Sequence, residues 1–164
     1  MRVPGPAPAA PVGRQQGDTM TDTTTVDKEI LVADFARATE GALDPELVEA
    51  ASERLRSLTT AHSAQGSVAS MIFYLQVAVD IEGGKRFRGH AGGISTPGGG
   101  GAWGDVYTDD LDRLYSSTKS FQFNATPVYF NVNFFDKSSH LLGHFQAGAF
   151  STALGTGGGT GSWS

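Results

Sequence analysis

The stretch SVASMIFYLQVAVDI, Ser67 to Ile81, places an apolar residue at every second position, from Ala69 through Met71, Phe73, Leu75, Val77 and Val79 to Ile81. A period of two is what a β-strand with one buried face requires. The same alternation returns in VYFNVNF, where Val128, Phe130, Val132 and Phe134 share one face and Tyr129, Asn131 and Asn133 the other. Phe121, Phe123 and Ala125 alternate, as do Gly143, Phe145, Ala147 and Ala149. Short Gly, Asp and Ser/Thr clusters separate these runs, which predicts an antiparallel sandwich or barrel.

The runs also repeat. FYLQVAV (73–79) aligns with VYFNVNF (128–134) at an offset of 55, and Gly89-His90 aligns with Gly143-His144 at 54. Ser95-Thr96 aligns with Ser151-Thr152 at 56, and Trp103 with Trp163 at 60. Small drifts in offset mark loop-length differences inside one duplicated unit. At about 5–6 residues per strand, each unit supplies about four strands. The expected fold is therefore all-β: an eight-stranded antiparallel barrel built from two similar halves. An interior of that size is just filled by side chains or holds one small ligand.

Upstream the period is helical. Val26, Ile30, Leu31 and Phe35 fall on one face, with Gly41 as a stop. Asp44-Pro45 supplies an N-cap and a proline at the first helical position, and Leu47, Val48, Ala51, Leu55 and Leu58 form the next stripe. A third helix is expected in TDDLDRLYSS, capped by Thr108 or Asp109 and carrying an Asp109–Arg113 pair. Residues 1–25 are Pro/Ala/Gly- and Thr-rich, which predicts a disordered tail. The expected organisation is a tail at 1–25, a two-helix extension at 26–66 and a barrel at 67–164.

The chain of 164 residues has 12 basic and 17 acidic side chains and no cysteine. Residues 1–66 hold ten acidic and six basic groups, and residues 67–164 hold seven and six. Neither half offers the basic field that nucleic acid requires, so nucleic acid is not an expected partner. No apolar run approaches the roughly 18 residues of a membrane-spanning helix. The first twenty residues lack the apolar core of a secretory signal, so the expected location is the cytoplasm, or outside the cell by another route.

The residues from Ala102 to Trp163 carry a resemblance. Trp103-Gly104, Asp110-Leu111, Arg113-Leu114-Tyr115, Asn124-Ala125, Asn133-Phe134-Phe135-Asp136, Gly143-His144 and Ser162-Trp163 resemble, in order and spacing, the Rhodococcus equi virulence-associated (Vap) family. The resemblance covers about 68–164. It implies a compact eight-stranded Greek-key barrel in two similar halves. It also implies a role in survival within macrophages, through disturbed phagosome and lysosome maturation, with a host protein or acidic lipid as partner. It implies secretion, and supplies no catalytic residue set.

GTGGGTG (155–161) and PGGGG (97–101) match neither a dinucleotide fingerprint nor a P-loop, so they are expected to turn the chain at barrel corners. His90 and His144 occupy equivalent repeat positions and would form a metal site only with a carboxylate nearby; His62 and His140 have no such equivalence. Ser151, His144 and Asp136 lack a nucleophile elbow. Asp109, Asp110 and Asp112 fit a solvated helix start better than a calcium loop. The NAT at Asn124 falls in an expected strand. No catalytic residue, metal ligand or cofactor is expected. Tyr74, Tyr129, Phe135 and Phe150 lie opposite the core stripes, as a surface contact patch or as a seat for the helices. The expected function is non-enzymatic contact through the barrel surface. The alternative is a lipocalin-like small-molecule carrier.

Overall fold

The computed structural model describes residues 26–71, 73–92, 96–148 and 154–164. Two helices, α1 (Lys28–Ala38) and α2 (Pro45–Ser57), precede β1 (Ala61–Ser70), β2 (Tyr74–Ile81), β3 (Arg86–Gly92) and β4 (Gly98–Tyr107). Helix α3 (Leu111–Ser117) then leads to β5 (Ser120–Ala125), β6 (Tyr129–Phe135), β7 (Leu141–Gly148) and β8 (Gly155–Trp163). The strands close into an antiparallel barrel in the order β1-β2-β3-β8-β5-β6-β7-β4. Each half places its fourth strand beside its first, giving β4-β1-β2-β3 and β8-β5-β6-β7. Because every neighbour is antiparallel, the last residues of β1, β3, β5 and β7 and the first residues of β2, β4, β6 and β8 share one end. Helix α3 and the β2–β3 and β6–β7 turns close the other.

The alternating run of 67–81 is thus two strands and not one. Leu75, Val77, Val79 and Ile81 point inward and are buried, but Met71 and Phe73 lie in the hairpin connection and are 76% and 77% exposed. The barrel also begins at Ala61, ahead of the expected boundary at 67. Its first strand gives no apolar signal because its inward positions include Ala64 and Gly66. A Cβ on Gly66 would enter the ring of Phe145, so aromatic volume from across the barrel occupies that space.

The same reasoning corrects the glycine clusters. Gly98–Gly101 and Gly155–Gly161 are strands, inside β4 and β8, and not corners. A side chain on Gly161 would meet Phe87 and the Arg88 carbonyl, and one on Gly157 would sit 3.0 Å from Phe123. Glycine usually weakens a strand, but it is favoured where rings or backbone press close. Phe87, Phe121, Phe123, Phe130, Phe134 and Phe145 consequently fill the barrel in one buried cluster that includes Trp163.

The repeat maps onto equivalent strands: 73–79 and 128–134 on β2 and β6, His90 and His144 on β3 and β7, Trp103 and Trp163 on β4 and β8. The tryptophans nevertheless face opposite ways, Trp103 being 62% exposed and Trp163 7%. The strand registers make Val106, and not Trp103, the structural counterpart of Trp163, so the two tryptophans stand three positions out of step and on opposite faces. Asp110, rather than Thr108 or Asp109, caps α3 by accepting the Arg113 amide N–H at 2.9 Å. Asp109 instead receives both guanidinium nitrogens of Arg54 from α2, at 2.8 and 3.0 Å.

Candidate interaction surface

Helices α1 and α2 lie across the outer face of β6 and β7. Their apolar stripes, Val32, Phe35, Ala51, Leu55 and Leu58, pack with Phe135 and Leu141 into a second core outside the barrel. Val26 and Leu31 cover Tyr129. Phe135 is 4% exposed and stacks on Phe35 at 5.9 Å; Tyr129 is 2% exposed and its hydroxyl donates to the Asp34 carboxylate. Burial and that carboxylate raise the tyrosine's pKa. In this arrangement Tyr129 and Phe135 seat the helices instead of facing solvent. Tyr74 is half-exposed and stacks on His90 at 5.4 Å. Phe150 lies outside the described residues.

The seat is polar as well as apolar. Gln122, Asn124, Asn131, Asn133, His144 and Gln146 all point outward from β5, β6 and β7, and all are buried. The Asn133 amide donates to Gln122 Oε1 at 2.7 Å and to Asn131 Oδ1 at 3.0 Å, and Asn131 donates to the Phe145 carbonyl at 3.0 Å. Gln122 and Thr156 both donate to Asn124 Oδ1, at 3.1 and 2.7 Å, so the sequon asparagine is held inside this network. Four buried polar atoms have no partner among the described residues: Asn124 Nδ2, both ring nitrogens of His144, and Gln146 Oε1. Each such atom carries a desolvation cost of about 1–3 kcal/mol.

His144 is fully buried and stacks on Tyr107 at 5.1 Å, with the rings 10° from parallel. Burial pushes its pKa down to about 4, Lys28 adds to the shift, and the nearby Gln146 amide offsets part of it. Lys28 lies over the Tyr107 ring and donates to the Leu58 carbonyl at 2.6 Å, tying α1 to the end of α2. His90, on the exposed face of β3, is separated from β7 by three strands, so the equivalent histidines do not meet. No cluster of three metal-ligating side chains occurs among the described residues. Asp136 accepts the Ser138 and His140 amide N–H groups at 2.8 and 3.0 Å, in a turn rather than toward His144. Ser151 lies outside the described residues.

The apolar groups that do face solvent are others: Met71, Phe73 and Val128, the last 69% exposed, in the connections at one end, Trp103 on the outer face of β4, and Ile30, which leaves the expected α1 stripe to Leu31, Val32 and Phe35. Periodicity alone assigns Met71, Phe73 and Val128 to core stripes, and it runs unbroken through the β1–β2 connection, 71–73, which has no Gly or Pro. The Pro127 that precedes Val128 was the available turn signal.

Comparison with solved structures finds VapB, a virulence-associated protein of the intracellular pathogen Rhodococcus equi, at 47% identity and a TM-score of 0.61, covering 64% of this chain and 96% of that one. VapD of the same organism matches at 44% identity and a TM-score of 0.61, covering 64% of this chain and 97% of that one. No curated protein matches. The family model for the Rhodococcus equi virulence-associated protein matches residues 19–164, which takes in both N-terminal helices as well as the barrel. The chain belongs to the Rhodococcus equi virulence-associated protein family.

Proposed function

We propose that the protein is a non-catalytic virulence-associated protein that acts through its outer surface on a host protein or membrane component. The observation that carries this reading is the distribution of aromatic volume. Six phenylalanines and Trp163 fill the barrel interior, while Trp103, Tyr74 and Phe73 remain outside it. A carrier would need that interior open. The two Vap proteins it resembles are described as coming from an intracellular pathogen, which makes a host-cell component the natural partner class.

Native mass spectrometry after incubation with a host-cell small-molecule and lipid extract tests the contact reading against the carrier. The expected result is a bare chain mass with no stoichiometric guest. A retained guest that is lost when Phe87→Trp further crowds the interior would overturn the reading in favour of a carrier.

A further inference from the structure

Helices α1 and α2 are held to the barrel through a core of their own. The buried residues that pack them onto Phe135, Leu141 and Tyr129 share no member with the cluster that fills the barrel interior. Polar contacts join the two parts as well. Tyr129 donates to Asp34, the Arg54 guanidinium grips Asp109, and Arg54 Nε donates to the Leu141 carbonyl at 3.2 Å. The Arg54–Asp109 pair is half-exposed to water and so adds little. The eight strands close on one another without the helices. The cover can therefore leave while the barrel stays shut.

His144 sits on the seam between these two cores. It is fully buried, its ring nitrogens have no partner among the described residues, and its ring stacks on Tyr107 of β4. From α1 comes Lys28, whose ammonium lies 5.7 Å from the centre of the same Tyr107 ring and pins α1 to the end of α2 through the Leu58 carbonyl. Glu29 of α1 is bonded to Arg56 of α2, and Arg54 of α2 to Asp109. On β4, Asp105 is paired across the strands with Gln146, while Asn131 and Asn133 on β6 supply only amides. A proton on His144 therefore brings a second cation into a sealed site that already holds Lys28, with no carboxylate bonded to it. Such a charge is costly unless it reaches water. Lifting the helices removes Lys28 and lets water in.

We propose that α1 and α2 are an acid-released cover: a proton taken up by His144 lifts both helices from β6 and β7 while the barrel stays closed, and bares Tyr129, Phe135 and Leu141. This rests on the surface-contact reading above and adds how a contact face is regulated. The direction follows from linkage. His144 titrates at about 4 under the cover and near the ordinary 6.5 once uncovered, so the closed form is fully favoured above pH 6.5 and is lost progressively toward pH 4. Between pH 7.5 and 4.5 the opening constant rises about 70-fold. The Arg54 guanidinium holds the Asp109 carboxyl below its ordinary value, so that pair stays intact through this window.

The test is hydrogen exchange of the full chain at pH 7.5 and 4.5, corrected for the intrinsic pH dependence of amide exchange, together with binding of an uncharged hydrophobic dye. Protection of 28–57 should fall about 70-fold in acid, with amides of β2 and β3 changing by less than about threefold. The dye should bind at pH 4.5 and not at 7.5. His144→Phe should hold the cover closed and reduce the fall in 28–57 to less than about threefold. If that variant does not fold, His144→Gln, neutral at both pH values, takes its place. His140→Gln, at the exposed histidine that borders α2, should leave the acid response intact. Loss of protection in β2 and β3 together with the helices, or none in the helices by pH 4.5, would overturn the proposal. So would a full response without His144, or its disappearance in His140→Gln. These outcomes read the cover and not the interior, so the surface-contact reading is judged separately by mass spectrometry.

Discussion

The imidazole of His144 lies parallel to the ring of Tyr107, 5.1 Å away, fully buried between the barrel wall and the helical cover with neither nitrogen bonded. A strand residue that points outward and is nevertheless sealed from water must stay neutral. The cover therefore depends on the protonation state of one residue.

Acid should weaken the folded state. With the folded pKa of His144 at about 4 against 6.5 for the free group, the neutral form is favoured on folding. Stability is complete above pH 6.5 and falls as pH drops toward 4, by about 3 kcal/mol in all. His144→Phe keeps the stack on Tyr107 and removes two unsatisfied nitrogens. It should raise stability by about 1–2 kcal/mol at neutral pH and flatten the curve between pH 6.5 and 4. Denaturant titrations across that range would show it; an unchanged slope in the variant would mean another group carries the acid response.

The glycines of β8 should be non-interchangeable with those elsewhere. A Cβ on Gly159 would strike the His90 carbonyl in the neighbouring strand, whereas one on Gly92 would meet nothing within 4 Å. Gly159→Ala is expected to cost more than about 2 kcal/mol through disrupted β3–β8 pairing, and Gly92→Ala to be close to neutral. Melting temperatures compare them directly, and equal effects would mean the strand shifts to accommodate the methyl group.

Asn133 sits at the centre of the buried amide network, joined to both Gln122 and Asn131. Asn133→Ala leaves both partners short of hydrogen bonds beneath the helices and should cost about 2–3 kcal/mol. A loss below 0.5 kcal/mol, on the order of an exposed surface change, would show that water fills the site.

A chain beginning at residue 61 lacks α1 and α2 and so uncovers Tyr129, Phe135 and Leu141. It should bind a hydrophobic dye that the whole protein does not, and its His144 should titrate nearer the ordinary histidine value. Absence of dye binding by a folded truncated barrel would mean its outer face repacks on its own.

Much of the barrel was legible because inward positions on β2, β5 and β6 carry large apolar groups. Leu75, Val77 and Val79, or Phe130, Val132 and Phe134, state their face outright. β1 was hidden because rings of Phe145 and Phe130 from across the barrel fill the space at its inward Gly66. The glycine strands were hidden for the same reason, since room for a ring is written in the sequence as an absence. Tyr129 and Phe135 could be recognised as outward apolar groups in need of a cover, and two short helices as elements in need of a seat. That His144 and the amides share the seat required the register of β6 against β7, which no local pattern encodes.

Hydrogen exchange of the full chain and of the chain beginning at residue 61 tests most directly that α1 and α2 are the cover of β6 and β7. The account predicts faster exchange at amides of 129–135 and 141–148 in the shorter chain, with 86–92 in β3 unchanged. Equal acceleration around the whole barrel, or none in β6 and β7, would contradict it.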